Sequence, residues 1–122
     1  NALAKILGIK GKTIIGDKAL KYRFSNNEGF LDLGEEWKKK YNLPFVFAIF
    51  CYNKNGELYK KIINSFLKTN IKIPRYILLE YVKKSGLTSS EILFYLTKIS
   101  YKIDKKGEIS LKKFLEKAKH LP

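Results

Sequence analysis

The chain has 122 residues, of which 45% are hydrophobic and 14% aromatic, and 25 basic against 11 acidic side chains give a formal net charge of +14. This length allows one hydrophobic core of ordinary size, and the composition excludes a disordered chain. No apolar run is long enough to span a bilayer, and the single cysteine excludes a disulfide framework and fits a reducing compartment.

The excess of positive charge is compatible with nucleic-acid binding, because basic side chains neutralise phosphates. Only Arg23 and Arg75 are arginine, however, whereas bidentate recognition of phosphate and guanine favours arginine. The lysines are spread along every segment of the chain. The pattern therefore favours a lysine-biased surface over a nucleic-acid groove.

The first third of the chain reads as two strand-helix units. Residues 1–8 are typical of an amphipathic helix that stops at Gly8. A strand is predicted at 13–15, and the Gly16-Asp17 turn then leads into a helix at 18–24 with Asp17 as its N-cap. A polar loop at 25–29 precedes a short strand at 30–33.

A helix is predicted at 34–41, with two glutamates in its first turn and three lysines in its last. That order of charges complements the helix dipole and stabilises each end by roughly 0.3 to 1 kcal/mol without any ligand. Pro44 then returns the chain to an extended conformation, because the residue before a proline is disfavoured in the helical region. The run 45–51 lacks period-two alternation, so it is predicted to be a strand buried on both faces, with Cys51 as a buried thiol.

The remainder of the chain is mostly helical. Helices are predicted at 57–69, 75–84, 89–99 and 111–119, with a short strand at 101–103 and a turn at 105–107. Thr88 and Glu91 have the spacing of a capping box, and Ser110 is predicted to cap the last helix. The predicted fold is helix-rich with few strands, and because those strands have no neighbours in sequence, most of a sheet must lie elsewhere. The chain begins at Asn1 and contains no methionine, so we expect a further segment upstream, which could include a signal peptide.

The usual catalytic constellations are absent from the sequence. His120 lies near the end and is expected to be a solvated tail residue, and no Cys/His spacing fits a metal. Asp32, Glu35 and Glu36 could serve acid-base chemistry or bind a metal, but the match of the two glutamates to the helix dipole favours a structural role. The turn at Gly16 and Asp17 is either an ordinary tight turn or a place where an anion approaches backbone N–H groups, and the residues alone favour the former.

Two blocks resemble a known family. TIIGDKAL (13–20) and DLGEEWKKKYNLPFVFAIF (32–50) closely resemble the chorismate dehydratases of the futalosine pathway of menaquinone biosynthesis, and FYLTKISYKIDKKGEISLKKFLEKA (94–118) is similar to their C-terminal helices. The related dihydroxynaphthoate synthases carry a second tryptophan in place of Glu36 and a different strand around Phe47. These two positions therefore favour the dehydratases.

The resemblance implies an α/β fold of the two-lobed type II periplasmic-binding-protein kind, used as a cytoplasmic enzyme. Residues 1–43 would end the second lobe. Residues 44–122 would form the return strand and the C-terminal helices that pack on the first lobe, and the N-terminal half would be absent. The partners implied are an anionic small molecule, the rest of the same chain and a homodimer, with neither a membrane nor a nucleic acid.

The implied reaction is the loss of water from chorismate to give 3-[(1-carboxyvinyl)oxy]benzoate, without a metal or organic cofactor. The resemblance places Gly16 and Asp17 at the substrate cleft. With it, an ordinary tight turn and an anion-binding turn become equally weighted interpretations of these two residues. The catalytic residues are not assigned, because they would lie in the absent half, and the 122 residues alone are expected to be inactive. The alternatives are a solute-binding protein of the same fold for a small anion, and a basic nucleic-acid-binding module.

Overall fold

A computed structural model describes residues 1–26, 29–70 and 72–122, and within these ranges the chain forms seven α-helices and no strand. The prediction of a helix-rich chain is confirmed. Two compact units are present, one made of Asn1–Phe47 with Ile103–Pro122 and the other of Ala48–Lys102. The helices are α1 Ala2–Leu7, α2 Asp17–Ser25, α3 Leu33–Tyr41, α4 Gly56–Lys68, α5 Arg75–Ser85, α6 Ser89–Leu96 and α7 Lys105–Lys119.

The strands predicted at 13–15, 30–33, 45–51 and 101–103 are wrong for this structure. A strand is stabilised by hydrogen bonds to a neighbouring strand, and the described residues supply no such neighbour. The apolar run 45–51 is divided between the two units. The predicted buried thiol is also wrong, because Cys51 is exposed, as are residues 47–50 before it.

Trp37 is the centre of the first unit. Its side chain is fully buried and contacts the rings of Tyr41, Phe45 and Phe114, with centroid separations of 4.4, 5.5 and 6.1 Å. Helix α1 packs against α3 and α7. Its buried residues are Leu3 and Ala4, so the short N-terminal helix closes one side of this core.

Most helix ends follow the predicted local signals. Gly8 ends α1 with a left-handed φ of 74°. Thr88 and Glu91 form the complete capping box of α6. Helix α3 carries its glutamates in the first turn and its lysines in the last, as predicted. The polar loop predicted at 25–29 lies partly outside the described residues.

The last helix begins earlier than predicted. Asp104 caps α7 by accepting a 2.8 Å hydrogen bond from the backbone N–H of Gly107. The turn predicted at 105–107 is therefore the first turn of α7, and the prediction that Ser110 caps this helix is wrong. Ser110 lies inside α7 and is buried.

The second unit is less enclosed. Helices α5 and α6 pack together, with Leu87 and Ile92 as its buried apolar residues. Gly86 ends α5 in the left-handed conformation, and the buried Ser85 hydroxyl accepts a 3.2 Å hydrogen bond from Leu87 N–H. Across the parts of the chain that the structure describes, no helix has the length and apolar content needed to cross a bilayer.

Candidate functional site

The predicted substrate-binding turn lies at the start of α2. Gly16 is the N-cap, with φ 63° and ψ −145°, and its carbonyl accepts hydrogen bonds from the N–H groups of Ala19 and Leu20. Asp17 is the first helical residue, so the prediction that its side chain caps the helix is wrong. Glycine suits this cap position, because the backbone there adopts a conformation that essentially only glycine tolerates.

The turn is open. A Cβ placed on Gly16 would meet no atom within 4 Å, and both Gly16 and Asp17 are exposed. The first-turn N–H groups of a helix lack intrahelical acceptors and carry the positive end of its dipole, so an anion is stabilised there. The carboxylate of Asp17 sits in that same turn and opposes a second negative charge, whereas Lys18 favours one.

An ion pair ties the far end of α2 to the start of α3. The guanidinium of Arg23 lies 3.3 Å from the carboxylate of Asp32, and it also lies 5.9 Å from the ring centroid of Phe30. Tyr22 contacts the same ring edge-on at 6.1 Å. Because both charged side chains are partly exposed, the pair stabilises the fold by no more than about 1 kcal/mol. The pair joins the last turn of α2 to the residue that caps α3.

Two of the three acidic side chains in the predicted cluster, those of Asp32 and Glu36, make structural contacts. Asp32 caps α3 by accepting hydrogen bonds from Gly34 N–H at 2.9 Å and Glu35 N–H at 3.2 Å. Glu36 accepts a 2.6 Å hydrogen bond from Lys39, which raises the pKa of that lysine above its ordinary value of 10.5. In the described ranges no three Cys, His, Asp or Glu side chains group in a way that could hold a metal ion.

A shallow groove is present in each unit. The groove of the first unit has a volume of about 320 Å³ and is lined by Leu7, Ile9, Glu36, Lys39 and Lys40. That of the second unit, about 250 Å³, lies between the end of α4 and residues 100–102. Neither lining includes Gly16 or Asp17. The predicted site is an exposed surface turn that lies outside these two grooves.

Three lysines surround one aromatic side chain at the end of α3. The ammonium groups of Lys40, Lys113 and Lys117 lie 5.7, 5.3 and 5.5 Å from the ring centroid of Tyr41. Exposed cation–π contacts stabilise a protein by about 0.5–1 kcal/mol each. Part of the high lysine content is thus explained by packing on an aromatic surface. His120, as predicted, is an exposed residue at the end of α7.

The buried pair of Trp37 and Ser110 was missed by sequence reasoning. The indole Nε1–H donates a 2.8 Å hydrogen bond to the Ser110 hydroxyl, and both side chains are almost completely inaccessible. A signal existed, since Gly107, Ser110 and Phe114 recur at helical spacing and place two small residues on one face of α7. Such a face admits a bulky ring from a neighbouring helix.

Comparison with known proteins relates the chain to a protein family and to a curated protein. A family model described as menaquinone biosynthesis matches residues 4–120. The chain is 45% identical to a curated chorismate dehydratase from Campylobacter jejuni, over 99% of this chain and 55% of that protein. The chain thus spans about half the length of this relative. No solved structure matches it.

Proposed function

Because the chain belongs to the menaquinone biosynthesis family, we propose that its complete gene product is a chorismate dehydratase, a hydro-lyase. The observation that carries this proposal is the 45% identity to the Campylobacter jejuni enzyme along 99% of the chain. The activity is proposed for the complete gene product, because the chain corresponds to only 55% of that relative.

In the proposed reaction chorismate loses its ring hydroxyl and a ring proton as water and becomes 3-[(1-carboxyvinyl)oxy]benzoate. Formation of the aromatic ring supplies the driving force. The protein's task is then to bind a dianion, fix its orientation and keep bulk water from the reacting ring. The positive charge of the chain favours the approach of such a substrate, although salt screens this attraction at physiological ionic strength.

One carboxylate of the substrate is proposed to bind at Gly16 and Asp17, against the N-terminus of α2. Three observations support this placement: the open space at Gly16, its positive φ, and a nine-residue helix whose first-turn N–H groups begin there. The substrate would approach the backbone from the Gly16 side, since the Asp17 carboxylate repels it.

The architecture proposed for the complete gene product is the two-lobed type II periplasmic-binding-protein fold. Residues 1–43 would then end one lobe, and residues 44–122 would return to the other. The support is an apolar run at 45–51 that finds no strand partner among the described residues. A cytoplasmic location and a homodimer belong to the same proposal.

The test is incubation of the purified complete gene product with chorismate, with the product identified by mass and by its aromatic absorption. We expect chorismate to be replaced by a compound lighter by one water. Binding of chorismate without conversion would favour the solute-binding alternative instead. The isolated 122-residue chain, assayed in parallel, is expected to be inactive.

A further inference from the structure

Three ammonium groups from two helices converge on the ring of Tyr41. Lys40 belongs to the last turn of α3, and Lys113 and Lys117 belong to α7. Their nitrogens lie 5.7, 5.3 and 5.5 Å from the ring centroid. Each of the other cation–π contacts in the described chain brings a single cation to its ring. We call Tyr41 and these three lysines the Tyr41 cluster.

The core of the first unit holds the ring of this cluster in place. Tyr41 packs on the buried Trp37 at a centroid separation of 4.4 Å, and the Trp37 indole donates a hydrogen bond to α7. Tyr41 and Lys113 are half-buried, whereas Lys40 and Lys117 are exposed. The cluster is therefore an accessible surface built on a fixed aromatic ring.

The ring does not remove the positive charge of the cluster. An aromatic ring attracts a cation through its quadrupole but has no net charge. The ion pairs found among the described residues involve other basic side chains, namely Arg23, Lys39, Lys60 and Lys84. Because all three ammonium groups of the cluster lie within 5.7 Å of one point, no two are more than about 11 Å apart, which is close to the screening length of about 8–10 Å in moderate salt. Their mutual repulsion is therefore only partly screened.

A compact polyvalent anion suits this arrangement. Ammonium groups form short, charge-assisted hydrogen bonds to phosphate oxygens, and lysine binds phosphate as a point charge without the fixed geometry of arginine. A phosphate diester has a single negative charge, whereas a terminal phosphate carries about −1.5 to −2 at pH 7. A diphosphate group adds a further charge and approaches the combined charge of the three lysines.

We propose that the Tyr41 cluster binds the diphosphate group of a soluble ester. Such a ligand contacts lysines of both α3 and α7 and therefore bridges the two helices. It also stabilises the folded protein, because a ligand that binds only the folded state raises the unfolding temperature. The inference uses neither residue of the Gly16 turn and does not rest on the proposed reaction.

Inorganic pyrophosphate is the probe, titrated calorimetrically into the complete gene product at low ionic strength. Lys113→Gln/Lys117→Gln removes two charges from the cluster. Lys112→Gln/Lys119→Gln is the matched control, because it removes the same charge from the same helix, including one last-turn lysine, but leaves the cluster intact. We expect the dissociation constant to rise at least about tenfold in the first variant and less than about threefold in the control. Absence of binding to the unsubstituted protein, or equal weakening in both variants, would overturn the proposal.

Other sources of phosphate chemistry are tested in parallel. Inorganic phosphate is expected to bind more weakly than pyrophosphate because it carries less charge, and equal affinity would overturn the assignment to a diphosphate. Vesicles containing phosphatidylglycerol and a short duplex DNA are the remaining probes. Binding of either one that pyrophosphate does not compete would overturn the proposal and assign the cluster to a lipid or nucleic-acid surface.

Chorismate distinguishes this site from the proposed carboxylate site. We expect it not to displace pyrophosphate, because the Gly16 turn and the Tyr41 cluster have no residue in common. Displacement would assign the pyrophosphate to the substrate site and overturn this inference. Pyrophosphate binding that Lys113→Gln/Lys117→Gln weakens, in a gene product that leaves chorismate unchanged, would support this inference and contradict the proposed function alone.

Discussion

Trp37 and Ser110 lie 73 residues apart in the chain and share a 2.8 Å hydrogen bond between the indole N–H and the hydroxyl oxygen. Trp37 is 0% and Ser110 1% exposed, so neither group can exchange this partner for water. The bond fixes α3 against α7, and the rings of Phe45 and Phe114 pack around the same indole. This contact determines how the first unit is assembled.

Ser110→Ala is therefore expected to destabilise the protein. It leaves a buried indole N–H without an acceptor, which costs about 1–3 kcal/mol. The measurement is urea unfolding of the complete gene product followed by tryptophan fluorescence. Ser90→Ala is the control, since Ser90 is exposed and its substitution is expected to change stability by less than about 0.5 kcal/mol. Equal stability of the two variants would contradict the importance of the bond.

Replacement of Gly16 by valine tests the proposed carboxylate site. The positive φ of Gly16 strains any L-residue by about 1–3 kcal/mol, and the new side chain would block approach to the backbone N–H groups. We expect a raised KM for chorismate in Gly16→Val. Gly11→Val is the matched control, because Gly11 also has a positive φ and open space around it but does not begin a helix. A KM unchanged relative to this control would exclude the turn from substrate binding.

Thr88→Ala removes the side-chain acceptor of the α6 capping box. Its hydroxyl accepts from Glu91 N–H at 3.2 Å, and Glu91 in turn accepts from Thr88 N–H at 2.8 Å. The expected loss is about 1 kcal/mol in free energy of unfolding. Thr88→Ser keeps the hydroxyl and should retain most of the stability. If serine and alanine behaved alike, the cap would not be the cause.

The pKa of Lys39 is expected to fall toward its ordinary value in Glu36→Gln, because the hydrogen bond to Glu36 is the main cause of the rise. Since the folded-state pKa is raised, the pair stabilises the fold below the ordinary pKa of 10.5, and this stabilisation is lost as the pH rises through the folded value. NMR titration of the lysine side chains measures the shift. Glu35→Gln is the control and should change the pKa less, because Glu35 acts only by charge. A smaller fall in Glu36→Gln than in Glu35→Gln would contradict this cause.

The candidate turn was located correctly from the sequence, but its cap was not. Glycine followed by aspartate predicts a helix start, and either residue is a common N-cap. The choice between them depends on φ and ψ at Gly16, which local sequence does not specify. Local sequence also does not specify whether the turn faces a cleft. In its own unit, both residues are exposed.

The sequence by itself determined where most helices begin and end, including the left-handed glycines at 8 and 86 and the box of Thr88 and Glu91. These features depend on contacts within a few residues, so a short window contains all the information. Only the tertiary structure decided that Ser110 faces a distant tryptophan and that residues 45–51 remain outside any sheet in the described chain. Both outcomes depend on partners far away in sequence, because a buried hydrogen bond and a strand each need a second element to exist.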